Sequence, residues 1–299
     1  MVNMCATGTS TILLCGCYLQ AAAEQRTSLI AYTKFAESGP EIWLVDEFGK
    51  GARRVGPGSD ASWSPDGRRL AFTMEVDGNV DVYYMDLDAT NVNRLTNDDA
   101  EDSGASWSPD GSMIAFNSNR SGSDQVWRSN VDAGEWGYNL TQLTKDTHHN
   151  RVNNFLSWSP DGRWIAFEAD RDRDDPEIYL ANAVDGSNQQ RLTFTRALDE
   201  VPSWSPTGAE ILLSSDMHDE PQSGTYDIYI MNVDGSAQRR LTTTPGAASY
   251  PSMSADGKRI AYSYQSGEDG VMEIWIMNAD GSDPKRLLED GGIPRFSPF

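Results

Sequence analysis

A six-bladed β-propeller, built from four-stranded antiparallel blades and closed by its own C-terminal strand, is the all-β fold class that three observations predict for this chain. First, one phrase recurs every 44 to 51 residues: Trp63-Ser-Pro-Asp-Gly67, Trp107-Ser-Pro-Asp-Gly111, Trp158-Ser-Pro-Asp-Gly162, Trp204-Ser-Pro-Thr-Gly208 and Met253-Ser-Ala-Asp-Gly257. A period of that size marks a repeat architecture. Second, an aromatic recurs once per unit at Trp43, Tyr83, Trp127, Tyr179, Tyr229 and Trp275, which counts six units. Third, an unfinished copy of the phrase, Phe296-Ser-Pro-Phe299, ends the chain, while the first unit has no copy ahead of it.

The unit that opens at Trp63 justifies each element in turn. Ala61–Ser64 reads as a short first strand, and Ser-Pro-Asp-Gly supplies the turn after it. Proline presets φ at the first central turn position, and glycine accepts a positive φ without steric cost. Leu70-Ala-Phe-Thr73 is a small apolar second strand. Asp81-Val-Tyr-Tyr-Met85 is the third, rich in residues that suit a pleated, half-buried surface. Asp88 and its relatives in Val184-Asp-Gly-Ser187, Val233-Asp-Gly-Ser236 and Ala279-Asp-Gly-Ser282 make the next tight turn. Arg94-Leu-Thr96 is the fourth strand, matched by Arg191-Leu-Thr193 and Arg240-Leu-Thr242. Four antiparallel strands per unit describe a propeller blade.

The first unit, Leu29–Thr33 through Arg54-Val55, supplies second, third and fourth strands only. Docking Phe296-Ser-Pro beside Leu29–Thr33 completes a composite blade and leaves no free sheet edge.

These repeats resemble those of the TolB-type propeller family, a WD-like group. The resemblance is carried by Trp-Ser-Pro-Asp-Gly, by Ile114-Ala-Phe-Asn-Ser-Asn-Arg-Ser-Gly-Ser-Asp-Gln-Val-Trp127 and by Asp227-Ile-Tyr-Ile-Met-Asn-Val-Asp-Gly235. It covers residues 28–299 and implies a propeller that binds partners. The periplasmic TolB proteins carry an α/β domain ahead of the ring, whereas here residues 1–25 precede the first blade.

Residues 26–299 are expected to form the propeller, and residues 1–25 a leader. Thr11-Ile-Leu-Leu-Cys-Gly-Cys-Tyr-Leu19 is a short apolar core, and Ala21-Ala-Ala23 before Glu24 resembles a small-residue cleavage site. Together they suggest a signal peptide and a periplasmic or secreted protein, although no Lys or Arg precedes Arg26. An alternative is a lipoprotein box at Leu14-Cys-Gly-Cys17, with Cys17 acylated. Cys5, Cys15 and Cys17 all lie in this leader, so the propeller offers no disulfide, thiol nucleophile or cysteine-bound zinc. No interior stretch is long and apolar enough to span a bilayer as a helix. A net charge of -21 argues against nucleic acid and favours cationic partners or divalent metal. The ring is expected to be a monomer.

In a propeller, the loops joining strands two and three open on one face with the inter-blade loops, at the mouth of the central channel. Here they span Thr33–Pro40, Met74–Asn79, Asn117–Asp124, Glu168–Pro176, Ser214–Thr225 and Tyr264–Gly270. Asp170, Asp172 and Asp174 alternate with Arg171 and Arg173, and carboxylates at that density suit calcium or another divalent cation. A solvated, internally paired loop is the competing reading. His148, His149 and His218 are the only histidines, and with Arg151 they suggest acid–base or metal chemistry if they converge. Adjacent histidines diverge on extended chain, so surface loops without a role are the competing reading. Asp102, Asn153, Asn154, Asp199 and Glu200 lie at or just before first strands and are expected to approach the mouth as binding residues. The acid opening most third strands, Glu41, Asp81, Glu177, Asp227 and Glu273, with Gln125 as the exception, is expected to serve the blade by accepting backbone hydrogen bonds.

Two classes of function remain. One is an exported, non-catalytic scaffold that binds a protein or glycan at the mouth. The other is a polysaccharide lyase or metal-assisted hydrolase at the same place. No Gly-x-Ser-x-Gly elbow or phosphate loop occurs. Fold alone does not decide between them.

Overall fold

The computed structural model describes residues 27–131, 139–145, 152–171 (152–154 as backbone), 175–218, 225–243, 245–267 and 270–299. Its strands form six antiparallel sheets of four. The innermost strands are Gly292–Phe296, Ser59–Trp63, Asp102–Trp107, Val152–Trp158, Asp199–Trp204 and Ala247–Met253, which open blades one to six in that order. Each touches the next, and Gly292–Phe296 touches both Ala247–Met253 and Ser59–Trp63, so the ring is closed.

Closure occurs where the sequence places it. Phe296 pairs with Ile30 and Arg295 with Ala31. Beyond the strand, the Ser297 amide donates to the Leu29 carbonyl at 2.8 Å, and the Leu29 amide donates to Ser297 Oγ at 3.0 Å. The same two bonds join Ser64 and Arg69 in blade two, both at 2.9 Å. The broken copy thus rebuilds the turn across the chain ends. Within intact copies, Ser64 Oγ donates to Asp66 at 2.6 Å, as does Ser108 to Asp110, which explains the conserved spacing within the phrase.

Two local expectations are corrected. In blades one and two the segments 33–40 and 74–79 are mostly strand: Leu29–Ala36 pairs with Gly39–Asp46, and Arg69–Val76 with Asn79–Asp86. Asp77 and Gly78 both take positive φ, the geometry that a two-residue hairpin requires. The fourth strands of blades two to five are also shorter than Arg-Leu-Thr, at two residues each, whereas Arg53–Pro57 and Lys285–Leu288 in blades one and six are longer. Only Asn93–Arg94 pairs in blade two, because Leu95 turns into the core and Thr96 Oγ1 accepts the Val82 amide at 3.0 Å.

That threonine also gives the third-strand acid its partner. Thr96 Oγ1 donates to Asp81 at 3.0 Å and Thr242 Oγ1 to Asp227 at 2.7 Å. The arginine of the same triplet pairs with the acid: Arg94 with Asp81, Arg191 with Glu177, and Arg240 with Asp227 at 2.6 Å. In blade three, Gln125 accepts from Thr144 at 2.7 Å. The acids serve the blade as expected, but through arginine and threonine side chains rather than backbone amides. Each latch ties the outer strand to the third.

The core lies between blades. Alternate residues of Leu29–Ala36 face opposite neighbours: Ala31 packs with Trp63, Leu70 and Phe72 of blade two, while Ile30 and Tyr32 pack with Ala261 and Ile276 of blade six. Both faces of each second strand are therefore apolar, which is why its sequence shows no hydrophobic–polar alternation.

Near the axis the blades are joined by polar bonds. Every inner strand carries a register shift. Asp60, Gly104, Val201, Tyr250 and Ile293 sit at these bulges with φ of 55°, 64°, 53°, 56° and 55°. The freed amide crosses to the previous blade. Asp60 donates to Thr33 Oγ1 (3.3 Å), Val201 to Glu168 Oε2 (2.8 Å), Tyr250 to Ser214 Oγ (3.2 Å) and Ile293 to Ser263 Oγ (2.8 Å). Left-handed backbone is costly for β-branched residues, and these bonds hold it in place.

Candidate functional site

The mouth face gathers carboxylates between blades four and five. Glu168 is the penultimate residue of the second strand of blade four, Trp164–Ala169, Glu200 the second residue of the inner strand of blade five, and Asp216 follows that blade's second strand, Glu210–Ser215. Glu168 and Asp216 are buried. Asp216 Oδ1 accepts the Leu198 amide at 2.8 Å. Glu200 bonds the Tyr226 hydroxyl, but burial and the nearby Asp216 charge together raise its carboxyl above the ordinary range. Burial, followed by the charges of Glu200, Asp216 and Glu168, pushes the Tyr226 hydroxyl strongly upward. The Tyr250 hydroxyl is pushed up to about 12, by burial first and then by Asp60, Glu168 and Glu200, with Arg295 opposing.

Tyr250 connects this cluster to the channel. Its ring meets Phe155 edge to face, with centroids 5.0 Å apart. Near that pair lies a cavity of about 100 Å³, whose polar wall includes Asp60, Arg295 and serines 62, 106, 157 and 203. Burial raises the Asp60 carboxyl to about 6, against the lowering effect of Arg295. Two clefts of about 250 and 440 Å³ lie at the seam of blades six and one and share Glu47, Phe48 and Arg259. Arg259 pairs there with Glu47 and stacks over Phe48, so those charged groups are already engaged.

The expected site residues divide. Glu200 is in the mouth cluster. Asp102 is fully buried and held by Arg120 at 3.0 and 2.8 Å, within the blade. Asp199 is equally buried and accepts from Thr195 at 3.0 Å, and burial raises its carboxyl to about 6. Asn153 and Asn154 lie on the inner strand Val152–Trp158, described as backbone. His218 is exposed beyond the second strand of blade five. His148, His149 and Arg151 lie outside the described residues, as do Asp172 and Asp174. Asp170 is half-buried, and Arg171 beside it stacks over Phe167 and Tyr179 at 5.0 and 5.1 Å. Among the described residues no group of three or more His, Cys, Asp or Glu is placed to hold a metal ion.

Sequence reasoning missed Glu168, Asp216, Tyr226, Asp60, Arg295, Phe155 and Tyr250. Comparing equivalent positions across repeats would have found two of them. Glu168 stands where blades one, five and six carry Thr33, Ser214 and Ser263, and Arg295 stands where the other blades carry serine.

Comparison with known proteins agrees with this architecture. The TolB beta propeller domain family matches residues 21–141 and 140–268. Over 68 residues the chain is 35% identical to the uncharacterized peptidase YuxL of Bacillus subtilis, a stretch covering 23% of this chain and only 10% of that protein. The crystal structure of TolB from Acinetobacter baumannii superposes with a TM-score of 0.76 at 22% identity, covering 90% of this chain and 66% of that one. An oligogalacturonate lyase in complex with manganese superposes at 0.59 and 16% identity, over 88% of this chain and 78% of that one. At these identities both structures share the fold alone with this protein.

Proposed function

This chain belongs to the TolB beta propeller domain family, and on that premise we propose that it is a non-catalytic scaffold whose channel mouth docks a protein partner through a cationic segment. The observation that carries this reading is the convergence of Glu168, Glu200 and Asp216 with Tyr226 and Tyr250 on the face where the long loops open. Glu200 is the half-buried member, and a carboxylate backed by the buried charges of Glu168 and Asp216 attracts a Lys or Arg side chain strongly, while the half-buried tyrosines suit its aliphatic stem. The net charge of -21 adds long-range steering of a basic partner. The scaffold works as a monomer after export to the periplasm or beyond. Among the described residues no helix is long and apolar enough to cross a membrane.

Selection from a displayed peptide library against the full chain tests this. Recovered sequences should be rich in Lys and Arg, bind more weakly as salt rises, and lose affinity for Glu200→Gln. Recovery of neutral sequences indifferent to Glu200→Gln would refute it. A glycan array run in parallel decides the other ligand class. Turnover of an acidic polysaccharide, with or without added manganese or calcium, would move the protein to the lyase or hydrolase reading.

A further inference from the structure

The inner ends of the six blades repeat one residue with a single exception. The position before the first-strand aromatic, or before Met253 in blade six, is Ser62, Ser106, Ser157, Ser203 and Ser252, but Arg295 in the composite blade. At the bulge, two residues earlier, the series runs Asp60, Gly104, Phe155, Val201, Tyr250 and Ile293. These twelve positions hold one acid and one base, and the two lie on adjacent blades lining the same cavity of about 100 Å³.

The serine role explains why the exception matters. Ser62 Oγ accepts the Trp107 amide at 3.2 Å, and Ser252 Oγ accepts the Phe296 amide at 3.0 Å, so serine stitches blade to blade. Arg295 cannot accept such a bond with its side chain. Its backbone carbonyl takes the Trp63 indole at 2.9 Å, as the Ser157 carbonyl takes the Trp204 indole at 3.1 Å, and its guanidinium stands in the cavity wall in place of a hydroxyl. There Nη1 donates to the Pro294 carbonyl at 3.2 Å. Across the cavity, Asp60 Oδ1 is buried with no hydrogen-bond partner. Asp60 and Arg295 perturb each other electrostatically, yet they are not among the ion pairs within 4.0 Å of the described residues. Asp60 and Arg295 are each half-buried, and opposite charges withdrawn from water that do not touch are costly unless something polar joins them.

We propose that this cavity is a binding site for a small zwitterion of the α-amino-acid class, its carboxylate on Arg295 and its ammonium on Asp60. A simple anion would meet Asp60, and a simple cation would meet Arg295; a dipolar molecule satisfies both. Guanidinium suits a carboxylate in a two-pronged contact. The serine hydroxyls supply further donors and acceptors. The volume equals roughly three waters of liquid, which restricts the ligand to a short side chain. Phe155 lines this chamber and carries Tyr250 edge to face behind it.

Calorimetric titration of the full chain with glycine and alanine, against acetate, methylammonium and leucine, tests the assignment. Glycine or alanine should bind, each half-molecule far more weakly, and leucine should be excluded by size. Asp60→Asn keeps the shape and tolerates the left-handed backbone, and Arg295→Met keeps the carbonyl that holds Trp63. Both variants should fold, as judged by an unchanged circular dichroism spectrum, and each should weaken glycine binding by about tenfold or more. Acetate binding as tightly as glycine, no heat from any zwitterion, or a crystal structure grown in glycine with water alone between Asp60 and Arg295 would each overturn the proposal.

Discussion

Phe155 and Tyr250 touch edge to face at 5.0 Å although they belong to blades four and six, with all of blade five between them along the chain. The contact exists because both occupy the bulge position of an inner strand, where the extra residue turns toward the axis. A double-mutant cycle with Phe155→Leu and Tyr250→Leu, followed by urea unfolding, should give a coupling of about 0.5–1.5 kcal/mol. Additive effects would mean that the rings do not meet in solution.

Removal of residues 292–299 takes away the inner strand of blade one and exposes the edge of Leu29–Ala36. Cooperative thermal unfolding should be lost. The milder Ser297→Ala removes only the hydroxyl that receives the Leu29 amide, and should cost about 1 kcal/mol. A truncated protein that melts like the full chain would disprove closure.

The latches should differ by burial. The Asp81 side chain is 0% exposed, and Asp81→Ala leaves Arg94 without its carboxylate, so a loss of about 3–5 kcal/mol is expected. The same change at Glu41, whose partner Arg54 is 48% exposed, should cost a small fraction of that. Equal losses in chemical denaturation would contradict the assignment.

Asp199 gives a pH dependence of known sign. Its folded-state carboxyl is raised to about 6 by burial, so the folded protein holds the proton more tightly than the unfolded chain does. That contribution is complete below the ordinary aspartate range and disappears as pH rises through about 6. Asp199→Asn cannot titrate, so it should gain up to about 3 kcal/mol on the wild type between pH 4 and pH 7. Urea unfolding at the two pH values checks this, and a constant difference would exclude it.

Two glycines with nearly equal φ separate steric cost from strain. Gly186 at +71° faces the Leu143 carbonyl of the preceding blade, whereas Gly257 at +70° has nothing within 4 Å of an added Cβ. Alanine at Gly257 should cost about 1 kcal/mol, and at Gly186 clearly more. Similar melting temperatures for the two variants would rule out the close blade contact at Gly186.

The sequence by itself determined the number of blades, their strand order, the Ser-Pro-Asp-Gly turns and the closure by Phe296-Ser-Pro. These follow from local turn chemistry and from a periodic pattern, both written within one repeat. Asp102 and Asp199 were legible as inner-strand residues, but not as buried ones, because burial depends on Arg120 in one case and Thr195 in the other. Only the tertiary structure decided what meets on the axis. Asp60 and Arg295 stand at opposite ends of the sequence, and Glu168 reaches Val201 across a blade boundary. The closed ring brings six distant inner strands within side-chain reach of one another, and that convergence has no counterpart in the spacing of residues along the chain.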